Sequence, residues 1–278
     1  MLTLPVRQLA EADRAAVERL LAAYPIAAAQ VAERVATRGL GWRADGRLYG
    51  YGSRRHPDAV LWSGGQVSPV GADAAAVAAF AEMVSGQPRV CASLVGESQA
   101  VLGLWELLKP AWGPERTVRA DQPLLVVDNP PAVAADPLVR QVRPDEVDLV
   151  FPASVAMYTE EVGVSPLGDD GGRGYRGRVA ELVKAGRSYA RIVDGTVVFK
   201  AELAVVTRHT AQVQGVWVDP SWRGRGFAIA GMAAVVRDAL RRVAPSVSLY
   251  VNDFNTPARR VYQRLGFRQV GSFATVLF

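Results

Sequence analysis

The chain has 278 residues, 50% hydrophobic and 21% charged, a composition that can bury one large core or two of ordinary size. No uninterrupted apolar run reaches membrane-spanning length, and Met1 to Arg7 lacks a basic-then-apolar secretory pattern, so the expectation is a cytoplasmic protein with no membrane partner. The net charge of +5 does not read as nucleic-acid binding: of the 32 basic residues only Lys109, Lys184 and Lys200 are lysine, and the arginines are spread among acids rather than gathered into a run.

In chain order, residues 5–9 read as a strand and residues 11–23 as a helix. After Gln66 to Asp73 comes a helix over residues 74–84. A strand (90–94), a helix (98–108) and a strand (122–127) close this part. Its single cysteine, Cys91, excludes an internal disulfide and any metal site built from several thiolates, and no metal is expected. Residues 128–137 carry three prolines and no apolar period, as a connector does.

Beyond it the pattern is a strand (138–142), helices (144–162 and 175–185) and strands (189–193, 196–206 and 211–218). Asp194-Gly195 is a hairpin signal, and Arg208-His209-Thr210 is a second turn. A glycine-rich turn then opens a helix in which Ile229, Met232, Val235, Val236, Ala239 and Leu240 recur at helical spacing. A strand (247–251), a helix (255–265) and a strand (273–278) follow. The two halves echo each other. Pro5-Val6-Arg7-Gln8-Leu9 parallels Leu138-Val139-Arg140-Gln141-Val142, and both halves end strand, helix, strand. Self-similarity of this kind is the mark of a tandem duplication, with boundaries expected at 1–128, a 129–137 linker, and 138–278.

The glycine-rich turn is the most informative stretch. Arg223-Gly224-Arg225-Gly226-Phe227-Ala228 sits between a strand and a helix, where backbone amides lack intrahelical partners and face the positive end of the helix dipole. Small residues there let a phosphate approach. Taken alone, the turn fits an anion cradle or an ordinary connection equally well. Its counterpart in the first half, Gln66 to Asp73, places a carboxylate at the helix start. Asp73 would cap that helix and repel an anion.

Together with the segment after the next strand, the turn resembles the GCN5-related N-acetyltransferases, the GNAT superfamily. The family's Gln/Arg-x-x-Gly-x-Gly/Ala pattern falls on Arg223, Gly226 and Ala228. Its Asn-x-x-Ala-x-x-x-Tyr-x-x-x-Gly-Phe signature falls on Asn255, Ala258, Tyr262, Gly266 and Phe267. The resemblance covers roughly the second half. It implies an α/β fold, an α+β mixed sheet with flanking helices, in two tandem GNAT-like domains of which the C-terminal one is intact. By simple alignment Ser98 stands at the place of Asn255 and Trp105 at that of Tyr262, so the first half is expected to have kept the fold and lost the cofactor. Only residues 268–278 follow Phe267 where a typical member forms two strands, so an exchanged strand from the other half is expected.

The resemblance further implies acetyl-CoA or another acyl-CoA as co-substrate and direct transfer to a primary amine on a small molecule or peptide. Amides from Arg223 to Ala228, including Phe227, would hold the pyrophosphate, with Arg223 or Arg225 adding charge. Val216 and Val218 would pair with the pantetheine arm, and an amide near Trp217 or Val218 would meet the developing oxyanion. Asn255 and Ala258 would lie beside the arm, and Tyr262 would be the general acid. The strand before the turn offers Gln212 and Gln214 where many relatives carry a carboxylate. Glu202 is therefore the candidate base, with Glu160 and Glu161 as rivals. The glycine-rich stretch from Tyr158 to Tyr175 would select the acceptor, its aspartates drawing a cation. An acyl-CoA-binding regulatory protein without turnover remains an alternative, and monomer or dimer is undecided.

Overall fold

A computed structural model describes residues 6–40, 46–53 and 55–278; Pro5 of the first expected strand lies outside them, as do Met1 to Leu4. In chain order the elements are β1 (Val6–Gln8), α1 (Arg14–Ala23), α2 (Ala29–Arg38), β2 (Gly46–Gly52), β3 (Pro57–Gly64), β4 (Gln66–Val70), α3 (Ala74–Ser85), β5 (Ser93–Glu97), α4 (Ser98–Trp112) and β6 (Thr117–Val127). There follow β7 (Arg140–Gln141), α5 (Val147–Val162), α6 (Arg173–Lys184), β8 (Ser188–Val193), β9 (Thr196–Val206), β10 (Ala211–Val218), α7 (Phe227–Arg242), β11 (Val247–Tyr250), α8 (Thr256–Arg264) and β12 (Arg268–Leu277). The chain divides into two compact units. Unit 1 comprises residues 1–125, 250–255 and 269–278, and unit 2 comprises residues 126–249 and 256–268.

Unit 1 has strand order β1-β2-β3-β4-β5-β12-β6. Its neighbours are antiparallel from β1 to β4, β4 and β5 run parallel, and β12 returns antiparallel to β5. The side-chain period of a strand explains how helices cover both faces. Ala59 and Leu61 of β3 join the cluster built with α3 and α4, while Val60 and Trp62 join the one built with α1 and α2. The last strand of the chain therefore completes the sheet of the first unit, registered from Phe273↔Glu97 to Leu277↔Ser93. A buried polar link reinforces it: Thr275 Oγ1 donates to Gln122 Oε1 at 2.6 Å, and Gln122 Nε2 donates to Asn252 Oδ1 at 2.8 Å.

Unit 2 has strand order β11-β10-β9-β8-β7. Asp194 and Gly195 have φ of 47° and 74°, the paired positive values that a tight hairpin turn between β8 and β9 requires. One face carries α5 and α6 over Val150, Met157, Val179, Val197 and Trp217. The other carries α7, packed so closely that a Cβ on Gly231 would lie 2.8 Å from the Phe199 ring. Strand alternation thus points Phe199 at α7 and its neighbour Lys200 toward α5. The proline-rich connector is docked, since Asp136 is buried, accepts from Arg191 at 2.5 Å, and donates its amide to Ala230 O at 3.0 Å.

The two units open on the same device. In unit 1 Arg7 grips Asp13 with two hydrogen bonds of 2.9 and 2.6 Å while Asp13 accepts the Ala10 amide. In unit 2 Arg140 grips Glu146 with two of 2.7 Å while Glu146 accepts the Arg143 amide. Each pair is six residues apart and follows the repeated Val-Arg-Gln triplet.

Candidate active site

The site of unit 2 begins with a defect in a ladder. β9 and β10 pair at Gln214↔Glu202 and next at Trp217↔Lys200, so β10 carries one residue more than β9 between these points. That is a β-bulge, and Gly215 enables it with φ of +59°. A larger residue would be strained by that φ and crowded, since a Cβ there would meet Met157 Cε at 3.1 Å, Lys200 Nζ at 3.2 Å and Glu202 Cδ at 3.3 Å. On its other side β10 pairs with β11 at Ala211 and Gln212. Beyond that point, among the described residues, the two strands carry no further registered pairs, which leaves the β10 edge through Val216 and Val218 open to an extended ligand.

The glycine-rich turn lies just past this edge. Gly224 and Gly226 have φ of +76° and +82°, and a Cβ at either would meet nothing within 4 Å. Gly226 is the N-cap of α7, without a side-chain cap and with no acid in the first helical turn. An anion can therefore approach amides at the positive end of a 16-residue helix with no steric or like-charge obstacle. These small, open positions fit the pyrophosphate of an acyl-CoA. Arg225 is exposed and stacks at 5.2 Å on Trp222, which packs edge-on against Phe227. Arg223 is engaged within the protein: its Nε donates to Val218 O at 3.1 Å and its guanidinium donates to Glu160 at 2.7 Å. Glu160 also accepts from Trp217 Nε1 at 3.2 Å. The Arg223 guanidinium holds the Glu160 carboxyl below the usual range, which makes it a weak proton acceptor.

Glu202 and Lys200 form a buried pair beneath the bulge. Lys200 is 1% exposed, and its Nζ donates to Glu202 Oε1 at 2.6 Å and to Gly215 O at 3.2 Å. In the sequence Glu202 is the candidate base and alternates with Lys200 along the strand; the ion pair between them is what the structure adds. Two signals were available: opposite charges two apart in a strand that is otherwise apolar share a face, and a glycine inside a strand marks a bulge.

Tyr262, on α8, is buried against Phe267 with ring centroids 5.7 Å apart. Burial pushes its phenol up, and the charge of Glu161 pushes in the same direction, so the hydroxyl keeps its proton at neutral pH. Ala258 lies one helical turn before it and is half-buried. Asn255 clusters with unit 1, where its amide donates to Asn252 O at 2.9 Å. In the glycine-rich acceptor segment, Asp170 spends both carboxylate oxygens on the amides of Gly172 and Gly174, each at 2.8 Å. It closes the turn into α6.

The corresponding places in unit 1 carry different groups. Asp73 Oδ1 accepts the Ala76 amide at 2.8 Å and caps α3. On α4 the buried Trp105 packs edge-on to Phe278 at 5.2 Å. Cys91 is buried, and desolvation raises its thiol, which disfavours a thiolate nucleophile. Among the described residues no cluster of three metal-ligating side chains occurs, and no helix is long and apolar enough to cross a membrane.

A mixed sheet with a bulged strand, an open parallel edge and an uncapped glycine-rich helix start define an acyl-transferase fold. Residues 167–267 match the Acetyltransferase (GNAT) family, and residues 46–150 match a Domain of unknown function (DUF4081). The GNAT match thus lies in the second half of the chain, and the match to the domain of unknown function lies mostly in the first. No curated protein matches it. Among solved structures it is similar to a GCN5-related N-acetyltransferase from Sphaerobacter thermophilus, with 20% identity, a TM-score of 0.61, and 98% of this chain and 94% of that one covered. It is similar to a GNAT-family acetyltransferase from Colwellia psychrerythraea, with 10% identity, a TM-score of 0.59, and 98% and 99% covered. A tandem GNAT protein from the clavulanic acid biosynthesis pathway gives 15% identity and a TM-score of 0.54, with 97% of each chain covered. These likenesses concern the fold.

Proposed function

We propose that the protein is an N-acetyltransferase that moves an acetyl group from acetyl-CoA, or a related acyl-CoA, to a primary amine by direct transfer. Residues 138–278 would hold the machinery, residues 129–137 would connect, and residues 1–128 would hold none of it. The observation that carries this reading is the uncapped, Cβ-free start of α7 beside the open edge of β10.

In this reading the amides from Gly224 to Ala228, with Phe227 at the first helical position, hold the pyrophosphate, and Arg225 adds charge. Arg223 shapes the loop through Val218 and Glu160 and can turn to a phosphate. Val216 and Val218 offer backbone groups to the pantetheine arm, with Ala258 beside it. The bound acyl-CoA supplies an activated thioester carbonyl. An amide of Trp217 or Val218 donates where charge develops on its oxygen. Tyr262 holds a proton on Oη for the departing sulfur. Glu202 Oε1 is taken by Lys200, so Oε2 is the acceptor for a proton leaving the amine through water. Cys91 lies in unit 1 and has a raised pKa, consistent with transfer that uses no acyl-cysteine.

One observation favours a second reading, an acyl-CoA-binding regulator without turnover: Glu160 is tied to Arg223 and Glu202 to Lys200, so both carboxylates have a cation in contact. The test is release of free thiol from acetyl-CoA in the presence of amines, polyamines, amino acids and peptides, with Tyr262→Phe beside the wild type. The enzyme reading expects turnover with at least one acceptor and a loss of kcat on the order of 10² to 10⁴ in the variant, with acetyl-CoA affinity retained. Tight binding with no thiol released on any acceptor would establish the regulator.

A further inference from the structure

We propose that Lys200 is a positioning residue that holds the β10 bulge in the shape the acyl-CoA arm requires. This rests on the reading of unit 2 as an acyl-CoA site, and it assigns a role to a residue the motifs do not include.

A bulge removes a residue from the ladder and leaves its backbone groups to find other partners. Here Lys200 supplies one: its Nζ donates to the Gly215 carbonyl at 3.2 Å, on the residue whose positive φ creates the bulge. The opposite charge on Glu202, 2.6 Å away, compensates the buried ammonium. Lys200 and Glu202 sit on one face of β9, at the two registers that flank the bulge, Trp217↔Lys200 and Gln214↔Glu202. The ammonium thus pins the extra residue of β10 from beneath, between its two flanking pairs. The chain leaving the pinned point is Val216-Trp217-Val218, which carries the amides and carbonyls of the open edge.

Stability gives no reason for a lysine at this position. Burying two charges in an apolar strand is expensive, and replacing such a pair by apolar side chains of similar size is often neutral or stabilising. A methionine would pack beside Met157 as well. What the methionine could not do is hold a backbone carbonyl away from its ladder. The pair is therefore better explained by the geometry it imposes on β10 than by the energy it adds to the core.

The experiment compares Lys200→Met with the double variant Lys200→Met/Glu202→Leu, using three readouts. These are acetyl-CoA binding by calorimetry, hydrogen exchange of a peptide covering residues 214–218, and melting temperature. Lys200→Met leaves Glu202 buried without its counter-ion and should unfold at lower temperature. The double variant should melt within a few degrees of wild type. Positioning predicts that it nonetheless exchanges faster at residues 214–218 and binds acetyl-CoA more weakly by on the order of tenfold or more. Wild-type affinity and wild-type exchange in the double variant would overturn the positioning role while leaving the acyl-CoA reading intact. If the wild type itself fails to bind acetyl-CoA, the functional reading falls, and the exchange data alone then decide whether Lys200 shapes the bulge.

Discussion

Helices α3 and α7 follow strands in matching surroundings: β4 and β10 each pair antiparallel with the preceding strand and parallel, over two residues, with the following one. Their first turns are completed in opposite ways. At α3 the Asp73 carboxylate fills the place and accepts an amide at 2.8 Å. At α7 Gly226 supplies no side chain, Gly224 leaves open space, and the amides face outward. A single carboxylate at the first position satisfies a helix start and closes it to other anions; its absence keeps the same backbone available to a ligand. The difference repeats on the following helix, where unit 1 has the indole of Trp105 and unit 2 has the phenol of Tyr262. Both units open on the same device, Arg7–Asp13 and Arg140–Glu146, while the uncapped helix start and the buried phenol occur in unit 2.

The sharpest break of this contrast is to make α7 resemble α3. Gly226→Asp puts bulk and a negative charge at the cradle. Acetyl-CoA affinity measured by calorimetry should fall by more than about 100-fold, since charge-assisted contacts to the phosphates are lost and replaced by repulsion. The fold should survive, because the new Cβ meets nothing within 4 Å and only the positive φ is strained, by about 1–2 kcal/mol. Circular dichroism separates this from unfolding.

A smaller effect tests what the units share. Glu146 in the folded chain has its pKa lowered from 4.5 to about 2, chiefly by the Arg140 hydrogen bonds. Above pH 4.5 the carboxylate is ionised in both folded and unfolded chains and its contribution to stability is complete. As the pH falls from 4.5 through about 2, the unfolded chain takes up the proton first and the contribution is lost. Glu146→Ala should destabilise the protein by about 2 kcal/mol in denaturant titrations at neutral pH. That difference from wild type should shrink through the same acid window.

The smallest effect concerns the cap itself. Asp73→Ala removes the acceptor of the Ala76 amide and should cost about 1 kcal/mol in stability. Acetyl-CoA affinity and thiol release should not change. A new acetyl-CoA site in unit 1 of this variant would mean that the cap alone had silenced it.

Much of unit 2 was legible in the sequence because its signals are local. β9 and β10 have the expected bounds, α8 and β11 differ by a residue or so, and the Asp194-Gly195 turn has the backbone its composition predicts. The residues expected for the cradle form an uncapped helix start for the same reason: glycines at a strand-to-helix junction specify backbone geometry directly. Elements shaped by tertiary context were read less well. β12 begins at Arg268, five residues before the expected start, and its partner over Phe273 to Leu277 is β5 of unit 1, a pairing that no pattern within residues 268–278 specifies. The strand expected over residues 90–94 starts at Ser93, leaving Val90 exposed. The connector carries a buried Asp136 whose partner, Arg191, is 55 residues away. Arg223 read as a phosphate ligand from its motif position, and its bond to Glu160 depends on α5 ending beside the turn. The Lys200–Glu202 pair was visible as two charges in an apolar strand, but its meaning depends on the bulge in the neighbouring strand.

The most direct measurement is the stoichiometry of acetyl-CoA binding to the intact chain by titration calorimetry. One molecule bound per chain, at a site lost in Gly226→Asp and kept in Asp73→Ala, is the predicted result. Two molecules per chain, or undiminished binding in Gly226→Asp, would contradict the assignment of a single open cradle to unit 2.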